Sequence, residues 1–339
     1  MKRSVFAVLT AAAAAIAVLG GAHAAVPRAV AGAEARKKIT VCLLPKKKGV
    51  PYFTTCAKGA EEAAKELGNV DLIYDGPTDG SPEKAASMVD RWALQGVNVI
   101  AVSPNDPEVL GQAMKKARAK GVRVITWDAD AAPDSREFMV NQATAKDIGY
   151  ALVDAMAKDL GTPEGEVAII TASLTAANQN EWIKFMKERL ATYPKLSLVA
   201  TKPSNEDQRL AFQVAQDLMK AHPNLKGIFG ISSVAFPGAA EAVKQSGKSG
   251  SVLVTGLATP NDMKAYVRDG TVKSVILWNT IDLGYLTVRA AEAVATGKLK
   301  AGDTSFEAGR LGTKKIEGDQ ILLGKILVFT KENIDQFDF

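Results

Sequence analysis

An α/β protein with two successive, doubly wound parallel sheets is predicted by three observations. Short apolar runs rich in β-branched residues alternate with helical segments along the chain. The runs are continuous rather than alternating, as parallel strands buried on both faces require. The strand–helix pattern then occurs a second time over a similar length. The chain has 339 residues, 47% of them hydrophobic, enough for two cores of about 120–160 residues each.

In the first block, strands are expected over 39–44, 70–74, 97–102 and 122–127, with helices near 52–67, 82–95 and 107–119. Ser81-Pro82-Glu83 and Asp106-Pro107-Glu108 mark two helix starts, a capping residue before a proline at the first helical position. In the second block, strands are expected over 167–170, 196–200, 227–231, 252–257 and 272–277. Helices lie near 145–160, 178–192, 206–221, 235–246 and 260–269. A helix over 282–296 and a terminal strand over 321–329 complete the chain. Right-handed crossovers are expected throughout.

The N-terminus carries a different message. Met1-Lys2-Arg3 is a positive start, 4–21 is an alanine-rich apolar stretch, and Ala22-His23-Ala24 has the A-x-A pattern of a cleavage site. Residues 1–24 therefore read as an export signal cleaved near Ala24, and 25–37 as a small-residue flexible tether. A mature chain starting near Ala25 keeps one histidine, His222, in a polar Ala-His-Pro-Asn turn. That leaves no Ser-His-Asp triad, no Cys-His pair and no histidine-rich zinc site. No cysteine near the cleavage site offers a lipid attachment point, so the product is expected to be soluble. The formal net charge is +5, and its charges are interspersed, without a nucleic-acid stripe. Cys42 falls in an apolar strand and Cys56 on the small-residue face of the next helix; both read as small buried residues.

In doubly wound sheets, ligands bind beyond the carboxyl ends of the strands. Those ends carry Lys46, Asp75, Ser103, Asn105, Asp128 and Asp130 in the first block, and Asn178, Gln179, Ser204, Asn205, Ser232, Ser233 and Thr259 in the second. Asn279 follows Trp278 at a junction between the blocks. Asp128 is expected to contact a ligand, and Asp130 to contact it or to cap the turn. Without a third carboxylate or histidine nearby, a metal is not expected. Asn178 and Glu181 fit a capping arrangement, which leaves Gln179 facing the cleft. Lys46 adjoins the strand end, whereas Lys47 and Lys48 read as solvated. Phe53 and Trp278 suit either the core or stacking on a sugar ring. The nucleotide signals GxGxxG and GxxxxGK[ST] are missing, as is GxSxG.

Pro45-Lys46, Gly49-Val50, Phe53, Tyr74-Asp75-Gly76-Pro77-Thr78, Thr126-Trp127-Asp128, Asn178-Gln179-Asn180 with Trp182, Val254-Thr255-Gly256-Leu257, Leu277-Trp278-Asn279 and Asn333-Ile334-Asp335 together carry a resemblance. The chain resembles the periplasmic sugar-binding proteins of ABC transporters, in the ribose-binding-like class I. Within that class it is similar to the subgroup of rhamnose-binding proteins and the autoinducer-2 receptor.

The resemblance implies two lobes joined by a three-stranded hinge that closes on a sugar-like ligand. It places 38–141 with 280–312 in the N-terminal lobe, and 142–279 with 313–339 in the C-terminal lobe and last hinge crossing. It implies a periplasmic monomer that delivers a neutral, rhamnose-like sugar to a membrane permease, with no catalysis, cofactor or nucleic acid. The site expected is Lys46, Phe53, Asp128, Asp130, Asn178, Gln179, Ser232, Ser233, Trp278 and Asn279. Lys46, Asp128 and Gln179 match the autoinducer-2 receptor pattern, but Asn178, Ile231 and Ser233 replace its aspartate, proline and alanine. Asn178-Gln179, Asp282-Leu283-Gly284-Tyr285 and Glu307-Ala308-Gly309-Arg310 look more like the rhamnose branch. Ala258 stands where ribose-type proteins carry an aspartate. Alternatives are an autoinducer-2 receptor or uptake protein, a ligand-presenting sensor subunit, and, further off, an exported sugar-processing enzyme, whose Asp128 and Asp130 sit too close on one loop for flanking catalysis. A sugar-responsive repressor would need a DNA-binding N-terminus where this chain has the export pattern.

Overall fold

The computed structural model describes residues 38–339; the expected signal and tether lie outside the described residues. The first block forms β1 (Ile39–Leu44), α1 (Pro51–Leu67), β2 (Val70–Tyr74), α2 (Pro82–Leu94), β3 (Val99–Val102), α3 (Pro107–Ala119), β4 (Arg123–Trp127) and a short β5 (Met139–Asn141). The chain then crosses to a second block: α4 (Ala145–Leu160), β6 (Gly165–Thr171), α5 (Ala177–Leu190), β7 (Leu196–Pro203), α6 (Gln208–Ala221), β8 (Leu225–Gly230), α7 (Ala235–Gln245), β9 (Leu253–Leu257), α8 (Pro260–Arg268) and β10 (Val272–Leu277). It returns as α9 (Thr280–Thr296), β11 (Ser305–Glu307), β12 (Thr313–Glu317) and β13 (Gln320–Leu322), and crosses a last time to β14 (Leu327–Phe329).

The first sheet runs β11-β12-β13-β5-β4-β3-β1-β2, and the second β14-β10-β9-β8-β6-β7. Pairing from β13 to β2 and from β10 to β7 is parallel; β11, β12 and β14 add antiparallel edges. Central strands such as β3 and β9 are buried along their whole length, because helices cover both faces. The two expected proline starts are as read. Ser81 Oγ accepts from the Lys84 amide, and Asp106 Oδ1 accepts from the Glu108 and Val109 amides.

α9 leaves the end of β10 and packs on α1, behind the first sheet. The two helices touch backbone to backbone. A Cβ on Gly284 would land on the Cys56 carbonyl, and one on Gly59 on the Ile281 carbonyl. Cys42 and Cys56 are both free and buried. Burial pushes the Cys42 thiol up to about 12 and raises Cys56 as well, so neither is a nucleophile near neutral pH.

Two expectations are corrected at the C-terminus. The strand expected over 321–329 is two strands in different sheets. Gly324, with φ +141°, breaks the run where the chain crosses. The segment from 313 was expected to join the second lobe. Instead β12 and β13 extend the first sheet, because β13 pairs with β5, and the crossing comes after Leu322.

Candidate functional site

The carboxyl ends of both sheets face one cleft, so residues just past each strand meet there. Lys46, two residues beyond β1, is 9% exposed. Its Nζ donates to Asn178 Oδ1 at 3.2 Å, across the cleft, and lies 3.5 Å from Asp128 Oδ2.

Asp128 follows β4 with φ +64°, a left-handed turn that aspartate tolerates better than most residues with a Cβ. Its amide donates to Val140 O (3.2 Å), and its carbonyl accepts from Gln142 Nε2 (3.1 Å). Its carboxylate accepts from Tyr52 OH on Oδ1 (2.8 Å) and Ser103 Oγ on Oδ2 (2.7 Å). Tyr52 OH in turn accepts from Trp278 Nε1 at 3.0 Å. Burial, with the negative Asp128 alongside, raises the Tyr52 phenol well above its ordinary value. Tyr52 therefore stays a neutral donor.

α5 begins at Ala177 with Ala176 at its N-cap and no side-chain cap. Asn178 is thus not the capping residue its spacing to Glu181 suggested, and its amide reaches Lys46 instead. Gln179, in the same turn, accepts on Oε1 from Thr171 Oγ1 and the Ala172 amide. Its oxygen is occupied by the end of β6, and its Nε2 remains as a donor. Ser232 Oγ accepts from the Ala235 amide, at the start of α7.

These groups line one concave cavity in the cleft, with apolar walls and a few convergent polar groups as small-ligand sites have. The lining mixes polar groups, Lys46, Asp128, Asn178, Gln179, Ser232, Ser233 and Glu206, with apolar and aromatic ones, Phe53, Trp182, Trp278, Ile231, Leu257 and Leu277. The aromatic side chains of the lining are held by edge-to-face contacts, Trp182 to Trp278 at 6.2 Å and Tyr52 to Phe53 at 5.0 Å between centroids.

Of the ten expected site residues, Lys46, Phe53, Asp128, Asn178, Gln179, Ser232, Ser233 and Trp278 line this cavity. Asp130 and Asn279 do not. Arg136 Nε and Nη2 hold Asp130 at 2.9 and 2.6 Å, so this carboxylate braces the turn after β4. Asn279 caps α9, its Oδ1 accepting from the Asp282 amide at 3.1 Å. Lys47 and Lys48 are not simply solvated either. Lys48 pairs with Asp75 at 3.0 Å, and Lys47 Nζ donates across the cleft to Glu206 O at 3.1 Å.

Glu206 was missed. The sequence reads it as the first residue of a helix over 206–221, whereas α6 starts at Gln208, and nothing in the sequence marks the left-handed backbone at Asn205 (φ +51°) and Glu206 (φ +52°). Tyr52 and Trp182 also line the cavity and were not among the expected site residues. Among the described residues, no group of three or more His, Cys, Asp or Glu side chains forms a metal site, and no helix is long and apolar enough to cross a membrane.

The comparisons with known proteins agree with this architecture. Residues 41–299 match the family described as periplasmic binding protein domain. The ribose import binding protein RbsB of Bacillus subtilis is 27% identical over 266 residues, covering 78% of this chain and 84% of the relative. LsrB from Clostridium saccharobutylicum, solved in complex with AI-2, is 30% identical with a TM-score of 0.85, covering 89% of this chain and all of that one. An ABC transporter solute-binding protein from Clostridium phytofermentas with bound L-rhamnose is 29% identical with a TM-score of 0.84, covering 88% and 98%. The resemblance to sugar-binding proteins of ABC transporters therefore holds, and these relatives are binding proteins of transport, not enzymes. The chain belongs to the periplasmic binding protein family.

Proposed function

We propose that this protein is the periplasmic, monomeric solute-binding component of a carbohydrate ABC importer, and that it binds a neutral six-carbon deoxy sugar, L-rhamnose first. The observation that carries the reading is the mixed lining of the cavity, charged and amide groups together with aliphatic and aromatic side chains. A 6-deoxy sugar presents the same mixture: hydroxyls that both donate and accept, and a methyl group that wants no partner. Lys46, Asp128, Asn178 Nδ2 and Gln179 Nε2 suit the hydroxyls, while Leu257, Leu277, Ile231 and the aromatic rings suit the methyl and the ring face.

The relative solved with L-rhamnose supports the choice of sugar. The one solved with AI-2 is about as similar, so autoinducer-2 is the second reading. Against it stand Asn178 in place of an acidic partner and the bulkier Ile231 at the cavity wall. Delivery to a membrane permease follows from the import role of the relatives.

A thermal-shift screen of purified protein tests this. L-rhamnose, L-fucose, D-ribose, D-arabinose, D-allose and autoinducer-2 are compared at equal concentration. L-rhamnose is expected to raise the melting temperature most, since stabilisation by a bound solute grows with its affinity. A larger shift with autoinducer-2 sinks the sugar assignment.

A further inference from the structure

The neutral-sugar reading leaves one cavity residue without a role, and the following rests on that reading. We propose that Glu206 is a specificity-determining acceptor for one ligand hydroxyl, and that Lys47, from the opposite side of the cleft, is the residue that positions it.

Glu206 lines the inner cavity and two neighbouring pockets of the cleft, so it stands between them. The other cavity carboxylate, Asp128, is already occupied by Tyr52, Ser103 and Lys46. The Glu206 carboxyl has no hydrogen-bond or ion-pair partner among the described residues; only its backbone carbonyl is engaged, by Lys47. Partial burial holds its carboxyl above the ordinary carboxylate value, with nearby Lys46 and Lys47 opposing and Asp128 adding. An acceptor in that setting gains when a hydroxyl is offered and is left unpaired when one is not. It also repels anionic groups, which excludes sugar acids and phosphates from this side of the cavity.

The backbone explains how the carboxyl is aimed. Asn205 and Glu206 are consecutive non-glycine residues with positive φ. Such strain persists only where the surroundings hold it. On one side Asp207 anchors the turn, its Oδ1 accepting from the Leu210 amide at 2.9 Å. On the other, Lys47 Nζ holds the Glu206 carbonyl from across the cleft. The Lys47 bond joins the two sides of the cleft, so it forms on closure and is lost on opening. Glu206 is thus delivered to the solute in its final place by the closing motion.

Titration calorimetry with stopped-flow dissociation tests this on the full protein, its Glu206→Gln variant and its Lys47→Met variant. The probes are L-rhamnose, L-fucose, D-ribose and D-arabinose. Glu206→Gln is expected to weaken L-rhamnose about tenfold or more and to change the affinity ratio of L-rhamnose to L-fucose about fivefold or more, because the two sugars present different hydroxyls. Lys47→Met is expected to weaken both sugars about three- to tenfold, through faster dissociation and with the ratio unchanged. Affinities of Glu206→Gln that stay within about twofold of the parent, or that fall equally for every sugar, overturn the proposal. A parent that prefers another of the four sugars overturns the rhamnose reading alone; the Glu206 comparison is then made with that sugar against its weakest competitor.

Discussion

Replacing Asp128 by alanine removes a group that serves the cavity twice. Of roughly four lone-pair directions on a carboxylate, Tyr52 and Ser103 take two and Lys46 faces a third. That leaves room for about one ligand hydroxyl. One charge-assisted hydrogen bond is worth about 1.5–3 kcal/mol, so affinity for L-rhamnose should fall about 10- to 150-fold. The second effect is on the fold. Lys46 and Asp128 have side chains only 10% and 6% exposed, and breaking a buried pair by deleting one partner costs about 3–5 kcal/mol. Alanine at φ +64° adds about 1 kcal/mol of strain. The two effects separate with Asp128→Asn, which keeps the shape and tolerates the left-handed turn. The Tyr52 and Ser103 hydroxyls can rotate to meet an amide, but Lys46 cannot, so Asp128→Asn should lose affinity comparably and stability less. Calorimetry reads the first quantity and urea unfolding the second. If Asp128→Ala binds L-rhamnose as tightly as the parent, the strand-end carboxylate is not a ligand contact and the reasoning fails.

Other perturbations follow from the same geometry. Asn279→Ala should leave sugar affinity within about twofold and cost about 1 kcal/mol of stability, as loss of an N-cap does; a large affinity loss in calorimetry would restore Asn279 to the cavity. Gly284→Ala drives a methyl group into the Cys56 carbonyl and should destabilise by about 1–3 kcal/mol or more in urea unfolding; an unchanged midpoint would show that α1 and α9 separate freely. Burial raises the Asp159 carboxyl above its ordinary value, against the hydrogen bond it accepts from Ser274. The native chain therefore holds that proton more tightly than the unfolded one. The stability from this group is full below the ordinary carboxylate range and is lost as pH rises through the raised value. Asp159→Asn lacks that loss, so its stability relative to the parent should be greater near pH 7 than near pH 4; an equal difference at both, measured by urea unfolding, speaks against the assignment.

The strands and helices were legible because their signals are local. Ser81-Pro82 and Asp106-Pro107 declare helix starts in the chain itself, and apolar runs such as 272–277 coincide with a strand to the residue. Strand ends then pointed to Lys46, Asp128 and Gln179 before any fold was known. What escaped depends on distant partners. β5 has three residues and exists because β4 and β13 flank it. Asn178 looked like a cap until Lys46 arrived from the other sheet to claim its amide. Asn279 looked like a ligand group because its capping bond to the Asp282 amide is no different, in sequence, from a free strand end. Glu206 stayed hidden because its backbone conformation is held by Lys47, remote in sequence and across the cleft.

The return of β12 and β13 to the first sheet also governs how this protein acquires its structure. β5 has its outer neighbour only when residues 320–322 reach it, more than 170 positions after 139–141 were made. α1 likewise lacks its partner until α9 appears. A chain that is still emerging, or has been trimmed at its end, therefore holds an unfinished first lobe beside a second lobe whose β6–β10 are already continuous. Contacts at such separation form slowly, since a long loop must close before they reward it. The second sheet waits too, for β14 at 327–329 to pair with β10. One short C-terminal stretch therefore supplies a strand to each sheet and the last crossing between them, so its loss leaves both sheets and the hinge incomplete at once.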